Sequence, residues 1–185
     1  MSEASAQPFL TQLPTFDEDS GQLTVIIETP KGSRNKYKYD DKKRLFTLSH
    51  VLPAGASFPF DFGFVPSTRG QDGDPLDVLV LMDSPAFVGC LLECRLIGVI
   101  EAEQSEDGKT ERNDRLIAVA SHSREHKDIE SLDQVSPNLV NEIEHFFVSY
   151  NEIQDKKFKV LGRPGPEQAR RLVEDGIKLA QAQQP

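Results

Sequence analysis

The sequence has little of what usually indicates a secreted, disulfide-bonded or membrane protein. It contains no tryptophan and two cysteines, Cys90 and Cys94, which a reduced pair of small apolar side chains explains. No apolar run reaches the length of about 18 residues that a membrane-spanning helix requires. Residues 1–21 lack a basic start followed by an apolar stretch, which is the pattern of a signal peptide. These absences predict a cytoplasmic protein without a membrane partner.

Basic residues are also scarce relative to acidic ones. There are 21 Lys and Arg against 30 Asp and Glu, so the net charge is −9 and the pI is about 4.9. A phosphate backbone requires a basic surface, and the composition therefore excludes nucleic acid as a partner. The length of 185 residues suits one domain with its own core. Residues 1–20 are polar and show no period, so we expect an N-terminal arm followed by a single domain over 21–185.

The acidic residues are most concentrated in the segment Asp72-Gly73-Asp74-Pro75-Leu76-Asp77. Gly and Pro make the segment a turn, and the apolar run 78–81 that follows predicts a buried strand. Carboxylates crowded to about 4 Å repel one another by roughly 4 kcal/mol per pair at an effective dielectric near 20. A hard cation removes this cost and suits an all-oxygen ligand set. A divalent metal site and a solvated Asp-Gly turn are both compatible with the pattern. An EF-hand loop is not, because its fifth and sixth positions would hold Leu76 and Asp77.

Strands precede helices along the rest of the chain. Alternating or β-branched stretches predict strands over 23–27, 36–39, 44–51, 88–101 and 115–120, with an acidic polar loop over 101–114. Phe58, Phe60, Phe62 and Phe64 recur at period two, which predicts one face of an extended segment. From Ser136 and Pro137 an apolar stripe of period 3.6 predicts a helix through Tyr150, and a second helix follows 164–166. This order indicates an α+β, mainly β fold, a small closed barrel with helices packed outside.

At this point the sequence resembles a known family. The run DGDPLDVLVL resembles the signature of the soluble family I inorganic pyrophosphatases, and the order and spacing of other segments agree from about 23 to 160. The agreeing segments are Thr24–Pro30, Asn35–Tyr37, Phe58–Phe64 and His145–Tyr150. The resemblance implies an OB-like closed five-stranded β-barrel with two or so packed C-terminal helices. It also implies Mg²⁺-dependent hydrolysis of pyrophosphate to two phosphates by metal-activated water, in a homo-oligomer that is commonly a hexamer.

The resemblance also assigns roles to individual residues. It implies that Asp72, Asp77 and Asp74 are metal ligands, and that Asp74 is the catalytic base for the attacking water. Glu28 matches a supporting acid near the metals. Lys36, Arg115 and Tyr150 match residues that bind the phosphates of the substrate, with Arg115 in the place of a family Lys. Bound Mg²⁺ would turn the acidic pocket into a site for an anion.

Several positions depart from the family pattern. The family has a second Glu, an Arg, two Tyr and a Lys where this chain has Lys38, His50, Phe58, Phe62 and Asn151. Two further family metal ligands, both Asp, correspond in the simplest register to Gln104 and Asn113. Because the loop over 101–114 is longer than in the family, nearby acids stay open as substitutes: Glu103, Glu106, Asp107, Glu111 and Asp114. Phosphate-binding donors are thus lost while the signature carboxylates remain. A non-catalytic metal- or phosphate-binding protein therefore stays open, as does a hydrolase of another phosphoanhydride or phosphoester that uses the Phe58/Phe62 face. A zinc site at His122 and His126 is disfavoured because no third ligand is evident.

Overall fold

The computed structural model describes residues 9–182, which contain nine strands and two α-helices. The strands are β1 (Leu23–Thr29), β2 (Asn35–Asp40), β3 (Leu45–Val51), β4 (Asp61–Val65), β5 (Leu76–Leu81), β6 (Leu91–Glu106), β7 (Lys109–Arg112), β8 (Arg115–Ala120) and β9 (Lys157–Gly162). The helices are α1 (Pro137–Glu152) and α2 (Pro166–Ala182), and neither has the length and hydropathy of a membrane crossing.

Five strands close into a ring, which confirms the predicted barrel and its two C-terminal helices. β1 pairs with β4, β4 with β5, β5 with β8, β8 with β6, and β6 again with β1. All these pairs are antiparallel except β5–β8, which is parallel. Side chains from all five strands, together with Ala169 and Val173 of α2, form one buried cluster. Because Val78 and Val80 belong to it while Leu79 and Leu81 do not, alternate residues face the two sides of the barrel wall.

The outer side of the wall is covered by α1. Leu79 and Leu81 share a cluster with Ile143 and Phe147 of this helix. As predicted, α1 begins at Pro137, where a missing N–H costs nothing because the first helical N–H groups have no partner inside the helix. The helix carries Tyr150 to the same end of the barrel as the acidic turn, since Asp77 acts electrostatically on its hydroxyl.

The segment 101–114, predicted as a loop, is instead part of the sheet. β6 continues to Glu106, and the chain turns at Asp107 and Gly108 before returning as β7. Both turn residues have positive φ, 49° and 80°, as a two-residue hairpin turn of type I′ requires. An Asp-Gly pair favours this geometry. β9, also absent from the prediction, pairs with the same extension of β6.

The hairpin of β2 and β3 covers a different part of the barrel. Tyr39 packs on Ile26 and Phe64. Of the four phenylalanines predicted on one extended face, only Phe62 and Phe64 lie in β4, although all four are buried. Residues 9–20 run along the barrel, where Thr15 donates a hydrogen bond of 2.9 Å to the carbonyl of Pro66. The predicted arm also includes residues 1–8, which lie outside the described residues.

Candidate active site

The acidic turn lies at the entrance to β5. The N–H of Gly70 donates to the carbonyl of Asp74 over 2.8 Å, and Gly73 adopts a positive φ of 87°. The N–H of Asp74 donates to Oδ1 of Asp72 over 3.1 Å. Asp72 and Asp74 are exposed, while Asp77, already in the strand, is half-buried. The turn therefore holds three carboxylates on a rigid backbone at one end of the barrel.

Arg115 is the buried cation nearest to this turn. It begins β8, which pairs with β5, and Nη1 donates to Oδ2 of Asp77 over 2.6 Å. The same nitrogen donates to Oδ1 of Asn113. The guanidinium carbon lies 5.2 Å from the ring centre of Phe147 and 5.6 Å from that of Phe158. Such cation–π contacts hold a guanidinium plane in place. The buried Nε has no hydrogen-bond partner among the described residues.

Lys36 is the second buried cation. Its Nζ donates to Oε2 of Glu28 over 3.1 Å and lies 4.3 Å from the ring centre of Phe62. The N–H of Tyr39 donates to Oε1 of Glu28 over 2.8 Å. Burial raises the pKa of Glu28, and the charge of Lys36 only partly opposes this effect. Asp77 also acts electrostatically on Glu28, so the predicted supporting acid is part of the same cluster of charges.

Lys38 was not predicted as a functional residue, yet it contacts the predicted base. Its Nζ lies 2.7 Å from Oδ2 of Asp74, and each side chain of the pair is about half exposed, 51% and 54%. Burial lowers the pKa of Lys38, but the hydrogen bond and charge of Asp74 outweigh it, so the pKa is raised overall. The two residues are 36 positions apart in sequence, and no local pattern indicates that they pair.

Asp72 differs from the other two carboxylates because it forms no ion pair within residues 9–182. Although the residue is exposed overall, partial burial of its carboxyl raises its pKa, and the charges of Asp77 and Asp74 raise it further, against the N–H of Asp74 and the charge of Arg115, which lower it. The three carboxylates do not converge on one point. In the described part of the chain, the three acidic or histidine side chains whose ligand atoms all lie within 4.8 Å of one another are Asp83, Glu125 and His126.

That second group has a structural explanation and lies elsewhere. Asp83 accepts hydrogen bonds from the hydroxyl of Ser123 and from the N–H groups of Arg124 and Glu125. These bonds hold the backbone of residues 123–125 against the Asp83 carboxylate. Asp83 follows the far end of β5 from Asp77, and at about 3.3 Å per residue the two are separated by roughly 20 Å. Asp83 is therefore not part of the acidic turn.

Tyr150 and His50 complete the aromatic wall of the site. The ring centre of Tyr150 lies 5.7 Å from that of Phe58 and 5.4 Å from that of His50. Burial raises the pKa of Tyr150 to about 12, so its hydroxyl stays protonated at neutral pH. Burial, followed by the charge of Lys36, lowers the pKa of His50. The buried Nε2 of His50 has no hydrogen-bond partner in the described chain.

The amides Gln104 and Asn113 meet across the strands that lead to the site. Nδ2 of Asn113 donates to Oε1 of Gln104 over 2.6 Å. Asp114 instead accepts hydrogen bonds from Arg112 and from the N–H of Ala102, 2.9 Å away. The two residues that the simplest sequence register pairs are therefore in contact, and both are neutral; their correspondence to the two family Asp residues stays a prediction. Asn151 lies away from this group, because its side chain donates to the carbonyl of Phe147 on the same helix.

A cavity of about 350 Å³ adjoins the acidic turn. Asp72, Asp77 and Asn113 line one side of it, and Leu172 and Leu179 of α2 line another. The candidate site thus combines three carboxylates, two buried cations and a neutral phenol, and of these groups Asp72 and Asp77 line the cavity. Such a set can bind a phosphate-containing anion and, through oxygen donors, a hard divalent cation.

Comparison with known proteins gives a consistent family match. Residues 25–181 match the family model described as inorganic pyrophosphatase. The chain is 37% identical over 158 residues to an inorganic pyrophosphatase of Nostoc sp., a match that covers 85% of this chain and 91% of that protein. It is 36% identical over 150 residues to one from Thermus thermophilus, with 81% and 83% covered.

Solved structures agree with these matches. The crystal structure of inorganic pyrophosphatase from Thermus thermophilus superposes with a TM-score of 0.86 at 32% identity, over 94% of this chain and 99% of that one. The inorganic pyrophosphatase of Helicobacter pylori superposes with a TM-score of 0.82, also at 32% identity, over 92% and 99%.

Proposed function

The chain belongs to the inorganic pyrophosphatase family, and we propose that it hydrolyses inorganic pyrophosphate to two phosphates with Mg²⁺ as cofactor. The observation that carries the proposal is the placement of the acidic turn directly against Arg115, with the Lys36–Glu28 pair in the same cluster of charges. Carboxylates beside buried cations provide both partners that a metal-complexed anion needs.

The donor set at the turn fits a hard divalent cation. All candidate ligands are oxygens, and Asp72 forms no ion pair with a basic side chain among the described residues, although the charge of Arg115 acts on it from a distance. Asp72 would therefore hold the ion, with Asp74 and Asp77 as the adjoining ligands. When bound, Mg²⁺ supplies Lewis-acid screening of phosphate charge and makes water easier to deprotonate.

The protein's own groups have separable roles in this proposal. Asp74 accepts the proton of the attacking water, and Lys38 fixes the orientation of its carboxylate. Lys36 and Arg115 bind the phosphate oxygens. Glu28 positions Lys36 through their hydrogen bond. Tyr150 donates a neutral hydrogen bond, since its pKa of about 12 keeps the hydroxyl protonated.

The structure argues against a less polar substrate. Phe58 and Phe62 are 1% and 4% exposed, and they pack on Phe146 and Phe147 of α1. They contribute to the core, so no apolar surface is presented at these positions to a larger phosphoester.

The decisive experiment follows phosphate release from pyrophosphate in the presence of Mg²⁺. We expect Asp74→Asn to lower kcat by a factor of about 10² to 10⁴, the usual contribution of a positioned general base. Asp128→Asn, an exposed aspartate outside the site, serves as the matched control. Turnover that survives in Asp74→Asn would remove Asp74 from the role of base. A folded wild-type protein without turnover would favour the non-catalytic metal- or phosphate-binding alternative.

We also propose a homo-oligomer, with a hexamer as the family expectation, working in the cytoplasm. Of the eight exposed large apolar side chains among the described residues, five lie in β3 or in the segment from Phe87 to Leu91, which supports a contact between subunits. Both cysteines are free thiols, as a reducing compartment requires. Sedimentation analysis of the purified protein measures the number of subunits.

A further inference from the structure

The charges of the site are almost balanced before any metal binds. Four carboxylates face three cations, in the pairs Glu28–Lys36, Asp74–Lys38 and Asp77–Arg115. Only Asp72 is left over, since it forms no ion pair among the described residues while the other three carboxylates each do. The repulsion that crowded carboxylates would suffer is therefore relieved mainly by side chains of the protein itself. A metal ion is required at one carboxylate rather than at all of them.

Arg115 is the cation in this set that is fixed most firmly. Its side chain is 5% exposed, whereas that of Lys38 is 51% exposed. Its guanidinium bridges Asp77 and Asn113, and its aromatic neighbours lie on α1 and β9. Because the guanidinium is buried, solvent screens the Arg115–Asp77 ion pair less than it screens the half-exposed pair of Lys38 with Asp74.

The groups around Arg115 could otherwise form a set of metal ligands. Asp77 offers a carboxylate, and the amides Asn113 and Gln104 offer oxygens that Mg²⁺ and Mn²⁺ accept. In the structure, Oδ1 of Asn113 is occupied by Arg115 and Oε1 of Gln104 by Nδ2 of Asn113. Asp77 is already paired with Arg115, so this group has no unpaired charge for a second cation, beyond the ion at Asp72, to neutralise.

We propose that the guanidinium of Arg115 takes the place of a divalent cation between Asp77 and Asn113, so that the free protein binds one such ion per chain, at Asp72. The inference rests on the proposed function, because it concerns the same site, but it makes a separate statement about metal number. Any further metal ions required for turnover then enter together with pyrophosphate.

The test counts Mn²⁺ ions bound to the full chain in the absence of pyrophosphate, by equilibrium dialysis or titration calorimetry. We expect one Mn²⁺ per wild-type chain and two per chain of Arg115→Met, which removes the cation while keeping an apolar stem against Phe147 and Phe158. Lys38→Met is the matched control, because it removes the same charge beside Asp74. We expect it to tighten binding without adding an ion.

A second variant keeps the test decisive if Arg115→Met does not fold. Arg115→Lys retains the charge, and we expect it to keep the wild-type count of one, whereas Asp72→Asn should bind none. Two or more ions on the wild-type chain, or an additional ion on Lys38→Met alone, would overturn the proposal. Pyrophosphate turnover, measured on the same preparations, tests the proposed function separately. An active enzyme that binds two ions in the absence of pyrophosphate would contradict only the inference about Arg115.

Discussion

Glu28 carries its negative charge in a place that disfavours charge. Glu28 is only 6% exposed. Burial raises the pKa of its carboxyl above the usual 4.5, despite the charge of Lys36 and the hydrogen bonds from Lys36 and Tyr39. A carboxyl with a raised pKa binds its proton more tightly in the folded than in the unfolded state. The free energy of unfolding therefore falls as the pH rises from 4.5 through the raised pKa. The ionised form is retained, in our proposal, because it positions Lys36.

We predict that Glu28→Gln raises the thermal unfolding midpoint of the metal-free protein at neutral pH while lowering activity on pyrophosphate. The amide keeps an oxygen for the N–H of Tyr39 and removes the buried charge. The gain should shrink as the pH falls and disappear below 4.5, where Glu28 of the wild type is protonated in both states. Calorimetric melts across this pH range measure it. A lower midpoint at neutral pH would mean that the attraction of Lys36 outweighs the cost of burial.

The residues of the site could be predicted from sequence only where the chemistry is local. The signature places Asp72, Asp74 and Asp77 within six positions, so their common turn follows from the Gly and Pro between them. The cations that pair with these carboxylates could not be predicted in this way, because Lys38 and Arg115 lie on other strands that are distant in sequence. Repulsion between carboxylates was therefore overestimated from sequence, where the neighbouring cations are not visible.

Among the elements, Gly63 allows β4 to approach β1 closely enough to hold the site together. A Cβ at this position would overlap the carbonyl oxygen of Ile26 and lie 2.8 Å from its carbonyl carbon. Both contacts are with backbone, which cannot rotate away. β4 lies between β1, which carries Glu28, and β5, which carries Asp77. The absence of one methyl group thus sets the spacing of two acidic side chains.

We predict that Gly63→Ala destabilises the protein by about 3 kcal/mol or more, since overpacking against backbone forces the strands apart. Gly162→Ala in β9 is the matched control, because its nearest neighbour would be Oε2 of Glu101 at an ordinary 3.6 Å. There we expect a change within about 0.5 kcal/mol. Urea unfolding curves measure both values. Equal stability of the two variants would show that β1 and β4 can separate without cost.

Elements with a strong periodic pattern were predictable and those at the edges of the sheet were not. The stripe of α1 and the buried run of β8 repeat their pattern over many residues, so local sequence specifies them. β9 has a single buried residue, Phe158, and exposes most of its side chains. Its strand conformation depends on pairing with β6, which a local pattern does not reveal. The polar composition of residues 101–114 led to the prediction of a loop instead of the β6–β7 hairpin, although Asp107-Gly108 is a hairpin signal.

The protein is acidic overall, yet its substrate is an anion. The net charge of −9 repels pyrophosphate at long range, while Lys36 and Arg115 provide positive charge in the site itself. In our proposal, a divalent cation at Asp72 reverses the local sign of the charge. Metal binding should therefore stabilise the fold as well as prepare the site, since any ligand that binds only the folded state raises its stability.

We predict that saturating Mg²⁺ raises the unfolding midpoint by about 5–10 °C, which a chelator reverses. One site filled to about 100 times its dissociation constant contributes roughly 2.7 kcal/mol, and each kcal/mol corresponds to about 2–4 °C for a domain of this size. Two acidic clusters lie at opposite ends of β5, so the source of the shift can be identified. Asp72→Asn should abolish it, whereas Glu125→Gln, in the group with Asp83 and His126, should leave it intact. The reverse outcome would place the stabilising ion at the far end of the barrel and separate metal binding from the site of hydrolysis.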